Sequence, residues 1–225
     1  MANYKIKLAC RIYDTTDAII RGQVKPEGID LQLQEMDSVP RMVERMFKGE
    51  FDVSEFSLAE LVYYTSRGKN DFIGIPVFPF RKFRHNSIFC NPSIDSPEAL
   101  DGKRVGFPRL VQTACVWQRG ILIEEYGLSP KNTQWYMSYL HHWENGHGDE
   151  QVQPHDGSAI NVIGERGKDA DENIDQALIE EKIDAFCTTR PSKSFNAGDK
   201  RIKRLFENYQ EVEASYFKKT GIFPI

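Results

Sequence analysis

The stretch KRVGFPRLVQTACVWQRGILIEEYG, residues 103–127, decides the fold class of this chain. Its first five residues, 103–107, have the pattern of a short strand. Residues 111–127 carry apolar side chains at helical spacing and end at Gly127, a residue type that often closes a helix. A strand followed almost at once by a helix of this length predicts a β-α unit, from which parallel sheets are built.

Similar units recur along the rest of the chain. Strands are predicted at 4–10, 29–36, 51–56, 72–78, 87–91, 103–107, 133–138, 159–164 and 184–189. Helices are predicted at 14–22, 38–50, 57–68, 111–127, 171–183 and in parts of 201–221. This alternation predicts an α/β protein with parallel sheets.

The order of the elements further indicates two lobes. The strand at 87–91 is followed by NPSIDSPEALDGK, which we interpret as the segment that connects to a second lobe. We therefore expect one lobe from 1–90, completed by 205–225, and another from 91–204. Two α/β lobes joined in this way predict a ligand cleft between them, at the carboxyl ends of the strands.

Composition limits the classes of partner. The chain has 225 residues, with 33 acidic and 29 basic side chains, and this mild acidity argues against a nucleic-acid binder. No apolar run approaches the roughly 20 residues that span a bilayer, so no membrane partner is expected. The first residues, MANYKIKLACRIYD, lack a signal-peptide pattern, and a cytoplasmic location is expected. Four dispersed cysteines are expected to be reduced and buried, without zinc.

A basic segment interrupts this acidic chain. Residues 78–89, FPFRKFRHNSIF, place Arg81, Lys82, Arg84 and His85 among four phenylalanines. One interpretation is a solvated loop whose arginines lie over the rings. The other is a binding site for a small anion, because guanidinium groups pair with carboxylates through two parallel hydrogen bonds.

Several motifs together resemble the 4,5-dihydroxyphthalate decarboxylase family. The most specific are PVFPFRKFRH, TTRPSKSF and the terminal TGIFPI, whereas SPEALDGKRVGFP is similar to many solute-binding proteins. The resemblance covers nearly the whole chain. It implies a two-lobed fold like that of type 2 periplasmic binding proteins, with parallel or mixed sheets. Because members of that family continue beyond TGIFPI, the resemblance also implies that this chain is truncated and that a missing C-terminal segment would complete the first lobe.

The resemblance also implies a reaction and a substrate. A hydroxylated aromatic dicarboxylate such as 4,5-dihydroxyphthalate would lose carbon dioxide after its ring hydroxyl is ionised and its ring carbon is protonated. The site must hold a dianion, polarise a phenol and supply a proton. No cofactor and no metal are required, and the expected partner is the small aromatic carboxylate itself. An enzyme of this type could also form a homo-oligomer.

Residues of the predicted first lobe suit these tasks. Arg81 and Arg84 are candidates for the carboxylate clamp, and His85 is a candidate proton donor because its usual pKa lies near neutral pH. Glu55, at the end of a predicted strand, could accept the phenolic proton or orient His85. Arg11, Asp14 and Ser57 are substrate-binding candidates, although Asp14 and Ser57 could equally be helix caps.

The predicted second lobe offers two further candidates. Thr113 begins a helix directly after a strand, where free backbone amides favour an anion. Arg190, in TTRPS, follows a strand and is expected at the edge of the cleft. The histidine-rich region 139–158 is interpreted as a polar loop. A non-catalytic solute-binding protein for a small carboxylate is the alternative function, because the same fold serves both.

Overall fold

The structure, a computed structural model, describes residues 4–68, 72–138 and 159–225. The predicted loop at 139–158 and its histidines lie outside the described residues. Within them, the chain forms two compact units, Met1–Arg81 with Ile225 and Lys82–Pro224. We call these the first unit and the second unit.

The first unit is built on a parallel three-stranded sheet. Its strands are β1 (Tyr4–Cys10), β2 (Ile29–Glu35) and β3 (Val53–Ser54), in the order β2-β1-β3. Its helices are α1 (Asp17–Ile20), α2 (Val39–Phe47) and α3 (Leu58–Ser66). Each strand lies within a predicted one, although β3 is only two residues long.

The helical spacing of Met42, Val43 and Met46 predicts an apolar face of α2, and this face lies at the centre of the unit. Met42 and Val43 are buried, and Met42 packs in a cluster with Ala9 of β1 and Phe51. Pro40 lies in the first turn of the helix, where its missing N–H costs no hydrogen bond. The helix is therefore held to the sheet by the residues that its sequence pattern predicts.

The second unit contains a mixed six-stranded sheet. Its strands are β4 (Ile88–Cys90), β5 (Arg104–Phe107), β6 (Gln134–Ser138), β7 (Ile160–Ile163), β8 (Ala185–Cys187) and β9 (Lys203–Arg204). The order is β7-β6-β5-β8-β4-β9, with β4 antiparallel to both of its neighbours and the other pairings parallel. Its helices are α4 (Thr113–Tyr126), α5 (Ala170–Ile179), α6 (Lys193–Asn196) and α7 (Tyr209–Thr220). Parallel and mixed sheets confirm the predicted α/β class.

The β5–α4 unit forms where residues 103–127 predict it. Gly127 ends α4 with a positive φ of 72°, as expected for a helix-closing glycine. Gly106 lies in the buried part of β5, where a Cβ atom would approach Ile183 Cδ1 to 2.7 Å. Here glycine allows a side chain to pack closely against the strand.

The compact units do not coincide with the predicted lobe boundaries of 1–90 with 205–225 and 91–204. Strand β4 pairs with β8 and β9, so residues 88–90 belong to the sheet of the second unit. Helix α7 also lies in that unit, where it contacts the short 3₁₀ helix at His85–Ser87. The boundary between the compact units lies at Arg81 and Lys82, and the predicted lobe boundaries stay predictions.

One predicted strand is wrong. Residues 72–78 form no β-strand, and Ile73, Ile75 and Val77 are exposed at 89%, 60% and 63%. Pro76 cannot donate a ladder hydrogen bond, and Val77 N instead donates to Ile75 O at 2.7 Å in a tight turn. This segment is therefore an exposed connection, although its apolar composition is typical of a buried strand.

The four cysteines are free and buried in the described structure. Burial raises the pKa of the Cys187 thiol, which is therefore protonated and unreactive despite its place at the end of a strand.

No helix in the part of the chain that the structure describes is long and apolar enough to cross a membrane.

Candidate functional site

Two predicted site residues lie side by side where strands β1 and β3 end. The strands are parallel, with Ala9 opposite Ser54, and Glu55 N donates to Ala9 O at 2.9 Å. Arg11 and Glu55 follow these strands directly. The carboxyl ends of the strands therefore bring a cation and a carboxylate to one edge of the first unit.

The Glu55 carboxylate accepts two hydrogen bonds at this edge. The Tyr13 hydroxyl donates to Oε1 at 2.6 Å, and the backbone N–H of Arg11 donates to Oε2 at 3.2 Å. Tyr13 was not among the residues predicted for the site. The available signal was its position three residues after β1, within the same RIYD loop as Arg11 and Asp14.

The ring of Tyr13 is held by two further residues. Phe80 stacks on it with the ring centroids 4.9 Å apart, and the Arg11 guanidinium carbon lies 5.4 Å from its centroid. Burial, and then the hydrogen bond to Glu55, raise the pKa of Tyr13, so the phenol stays protonated. The first part of the basic segment is thus joined to the β1 loop, and the Thr15 hydroxyl also donates to Pro79 O at 2.6 Å.

The other predicted residues of the first unit have simpler surroundings. Arg81 is exposed, and its guanidinium carbon lies 5.3 Å from the centroid of the Phe78 ring. Asp14 is exposed and does not cap α1, whose N-cap residue is Thr16. Ser57 occupies the N-cap position of α3, but its side chain makes no capping hydrogen bond there. Their roles in substrate binding remain predictions.

The second half of the basic segment turns into the interior of the second unit. Arg84 is 6% exposed and His85 is 1% exposed, so these two residues and Arg81 do not form one exposed cluster. The physical reason is the 3₁₀ helix at His85–Ser87, which leads directly into the buried strand β4. An extended segment would turn Lys82 to solvent, since its neighbours on both sides would point the other way. In the structure Lys82 is instead half-buried, and burial and then Arg84 lower its pKa.

His85 lies in an aromatic environment beside helix α7. Its ring centroid is 5.2 Å from that of Phe206 and 5.3 Å from that of Tyr216, with both rings edge-on. It lines a cavity of about 330 Å³, whose other residues include Glu125 and Tyr126. Burial lowers the pKa of His85 to about 4, with Glu125 opposing the effect. The imidazole is therefore neutral at pH 7, which disfavours the predicted role of proton donor.

The buried imidazole should make the second unit sensitive to acid. Lowering a pKa from 6.5 to about 4 corresponds to about 3 kcal/mol of stability, because the unfolded chain binds a proton that the native imidazole does not. This contribution is complete above pH 6.5 and is lost as the pH falls towards 4. Urea unfolding of wild type and His85→Phe at pH 7.5 and 4.5 should show a steeper loss in the wild type. Equal losses in both proteins would contradict the burial of a neutral histidine.

Gln118 of α4 holds the segment that contains Arg84 and His85. Its side chain is fully buried, and its amide nitrogen donates to the carbonyls of Arg84, Ser87 and Thr188 at 3.2, 2.9 and 2.9 Å. No local pattern indicates this role, because the three acceptors are backbone atoms from distant parts of the chain. One side chain thereby ties the end of the basic segment to the end of β8.

The remaining predicted residues of the second unit occupy helix and loop positions. Thr113 is the first residue of α4, after the N-cap residue Gln112. Arg190 is exposed, and its guanidinium nitrogens lie 3.9 Å from carboxylate oxygens of Asp169 and Asp171. Neither position contradicts a substrate contact, and both remain predictions. Within the described ranges, no three histidine, cysteine, aspartate or glutamate side chains are grouped to hold a metal ion.

Comparison with solved structures identifies the class of fold. The structure is similar to the periplasmic aliphatic sulphonate binding protein SsuA from Escherichia coli, with a TM-score of 0.53, 11% identity, and coverage of 97% of this chain and 68% of that chain. The alkanesulfonate-binding protein SsuA from Xanthomonas axonopodis pv. citri matches with a TM-score of 0.49 and 12% identity, over 91% of this chain and 61% of that chain. The Escherichia coli match supports the predicted fold of type 2 periplasmic binding proteins.

Sequence comparison identifies the family. The chain is 30% identical over 230 residues to 4,5-dihydroxyphthalate decarboxylase from Comamonas testosteroni, covering all of this chain and 67% of that protein. It is 27% identical over 220 residues to the Pseudomonas putida protein of the same name, covering 97% of this chain and 83% of that one. No protein-family model matches the chain. The chain belongs to the 4,5-dihydroxyphthalate decarboxylase family, a family of carboxy-lyases, as its motifs predict.

Proposed function

We propose that the protein decarboxylates a hydroxylated aromatic carboxylate such as 4,5-dihydroxyphthalate. The observation that carries the proposal is the 30% identity to the Comamonas testosteroni decarboxylase along the whole length of this chain. The chain spans about two thirds of that relative, so the activity is argued from the residues that are present.

The chemistry assigns separate tasks to a base and to a clamp. Transfer of the phenolic proton to a carboxylate raises the electron density at the ring carbon para to the hydroxyl. That carbon then accepts a proton from water, its bond to the carboxylate breaks, and carbon dioxide leaves as aromaticity returns. The protonated base finally returns its proton to the phenolate. Removal of the phenolic proton in place is general base catalysis, and it depends on a base held within hydrogen-bonding distance of the hydroxyl.

Glu55 is the proposed base. It is a carboxylate held by two donors at the carboxyl ends of two parallel strands, the edge at which ligands of α/β proteins commonly bind. Arg81 is the proposed clamp, because it is exposed and follows Phe80, the ring that stacks on Tyr13. Arg84, Arg190, Thr113 and Arg11 remain further candidates for binding the substrate. Composition supports a small-molecule partner, and a cytoplasmic location and a homo-oligomer stay proposals.

Turnover and binding measured on the same protein distinguish the enzyme from its alternative. Incubation with 4,5-dihydroxyphthalate should release carbon dioxide and give a catechol monocarboxylate. A panel of aromatic mono- and dicarboxylates should show which ring substituents are required. Thermal stabilisation by these acids without any turnover would instead support a solute-binding protein.

Arg81→Ala should raise KM for the dicarboxylate about 10- to 100-fold, because a charge-assisted hydrogen bond contributes about 1.5–3 kcal/mol. Initial rates over a range of substrate concentrations give KM and kcat separately. The matched control is Arg67→Ala, because Arg67 is also exposed and lies over an aromatic ring, that of Tyr63 at 4.8 Å. Equal KM values for the two variants would remove Arg81 from the proposed clamp.

A further inference from the structure

The described residues give the carboxylate of Glu55 fewer hydrogen bonds than it can accept. An ionised carboxylate offers about four lone-pair directions on its two oxygens. Among the described residues, the recorded hydrogen bonds to this carboxylate are one at each oxygen, from the Tyr13 hydroxyl and the Arg11 backbone. The two bonds fix the plane of the group and leave one direction on each oxygen for another donor.

The loop that carries Tyr13 is fixed by hydrogen bonds of its own. Tyr13 N donates to Thr16 Oγ1 at 2.8 Å, and the same hydroxyl donates to Arg11 O at 2.7 Å. Asp17 N donates to Tyr13 O at 2.8 Å at the start of α1. The backbone on both sides of Tyr13 is therefore tied to a compact turn, and the side chain leaves it in a defined direction.

The ring environment leaves the hydroxyl as the functional end of Tyr13. Phe80 stacks on the ring and the Arg11 guanidinium lies near it, so the ring is poorly placed to stack on a ligand. The raised pKa of Tyr13 keeps its proton on the phenol oxygen, where it is donated to Glu55. The Glu55 carboxylate is thus an acceptor whose orientation is held by Tyr13, and catalytic bases require this kind of support from a second residue.

We propose that Tyr13 is a positioning residue for decarboxylation, whose hydroxyl orients the Glu55 carboxylate to accept the phenolic proton of the substrate. This inference rests on the proposed function and deepens it. It assigns a role to a residue that need not touch the substrate. It also explains why the Arg11 loop, the Phe80 segment and Glu55 are joined at this edge of the first unit.

Tyr13→Phe removes the donor and keeps the ring. We expect kcat to fall about 10-fold or more while KM changes less than about threefold, because the base is present but no longer oriented. The matched control is Tyr63→Phe, since Tyr63 lies in the same unit and its ring also packs against an arginine, Arg67. Thermal unfolding curves of both variants and of the wild type check that all three proteins are folded to the same extent at the assay temperature.

A double-mutant cycle separates positioning from a purely structural role. If Tyr13 acts through Glu55, adding Tyr13→Phe to Glu55→Gln should change kcat less than about threefold. Independent, multiplying losses would overturn the inference, as would a Tyr13→Phe protein with wild-type kcat. These outcomes leave the proposed function intact, whereas a wild-type protein without turnover would overturn the function and this inference together.

Discussion

Glu55→Gln is expected to lower kcat for decarboxylation about 100-fold or more, the usual loss when a general base is removed. Glutamine has nearly the same shape, and its amide can still accept from Arg11 N–H and donate to the Tyr13 oxygen. The fold should therefore be preserved, and KM should change less than kcat. Steady-state kinetics with 4,5-dihydroxyphthalate, together with a thermal unfolding curve, measure both effects.

The chain offers a close control for this variant. Asp52 immediately precedes β3, and its Oδ2 accepts a hydrogen bond from the backbone N–H of Lys7 in β1 at 2.8 Å. Glu55 immediately follows β3 and accepts a similar hydrogen bond from the backbone N–H of Arg11, which follows β1. Asp52→Asn removes an equivalent carboxylate from the opposite end of the strand pair and should keep the wild-type kcat. Similar kinetics for Glu55→Gln and Asp52→Asn would show that Glu55 is not the base.

Gln118→Glu is expected to destabilise the protein by about 3–5 kcal/mol, because a buried carboxylate would face three carbonyl oxygens without donating a hydrogen bond. The measurement is urea unfolding at pH 7.5 followed by intrinsic fluorescence. The control is Gln210→Glu, at an exposed position of α7, which should change stability by less than about 0.5 kcal/mol.

A smaller loss in a second variant would identify the cause. Gln118→Leu removes the same donors without adding a charge, so it should cost about 1–3 kcal/mol. If Gln118→Glu were no less stable than Gln118→Leu, the carbonyls of Arg84, Ser87 and Thr188 would not surround the side chain as described.

Local sequence pattern was sufficient for most of the architecture. The 103–127 stretch predicts both β5 and α4, and the apolar spacing of 38–50 predicts the face of α2 that is buried. The parallel pairing of β1 and β3 brings Arg11 and Glu55 together at one edge of the sheet, and their roles in the site stay predictions. The predictions of strands and helices succeeded because periodicity is a local property of the chain.

Predictions that depended on distant partners were less successful. Residues 72–78 have strand-like composition, yet they pair with no strand in the described structure. His85 was predicted as a proton donor from its usual pKa, but the chain turns at 84–87 and buries the imidazole against Phe206 and Tyr216. Whether a polar side chain is buried depends on residues far along the chain, which spacing alone does not reveal.

The sequence by itself determined the α/β class, the family, and the strand ends that carry Arg11 and Glu55. Only the tertiary structure decided that Tyr13 holds Glu55, that Gln118 holds the end of the basic segment, and that His85 is neutral. The physical reason is the range of the interactions. Helical and strand periodicity depend on about ten to twenty neighbouring residues. A hydrogen bond between residues 13 and 55, in contrast, forms only after two parallel strands have paired.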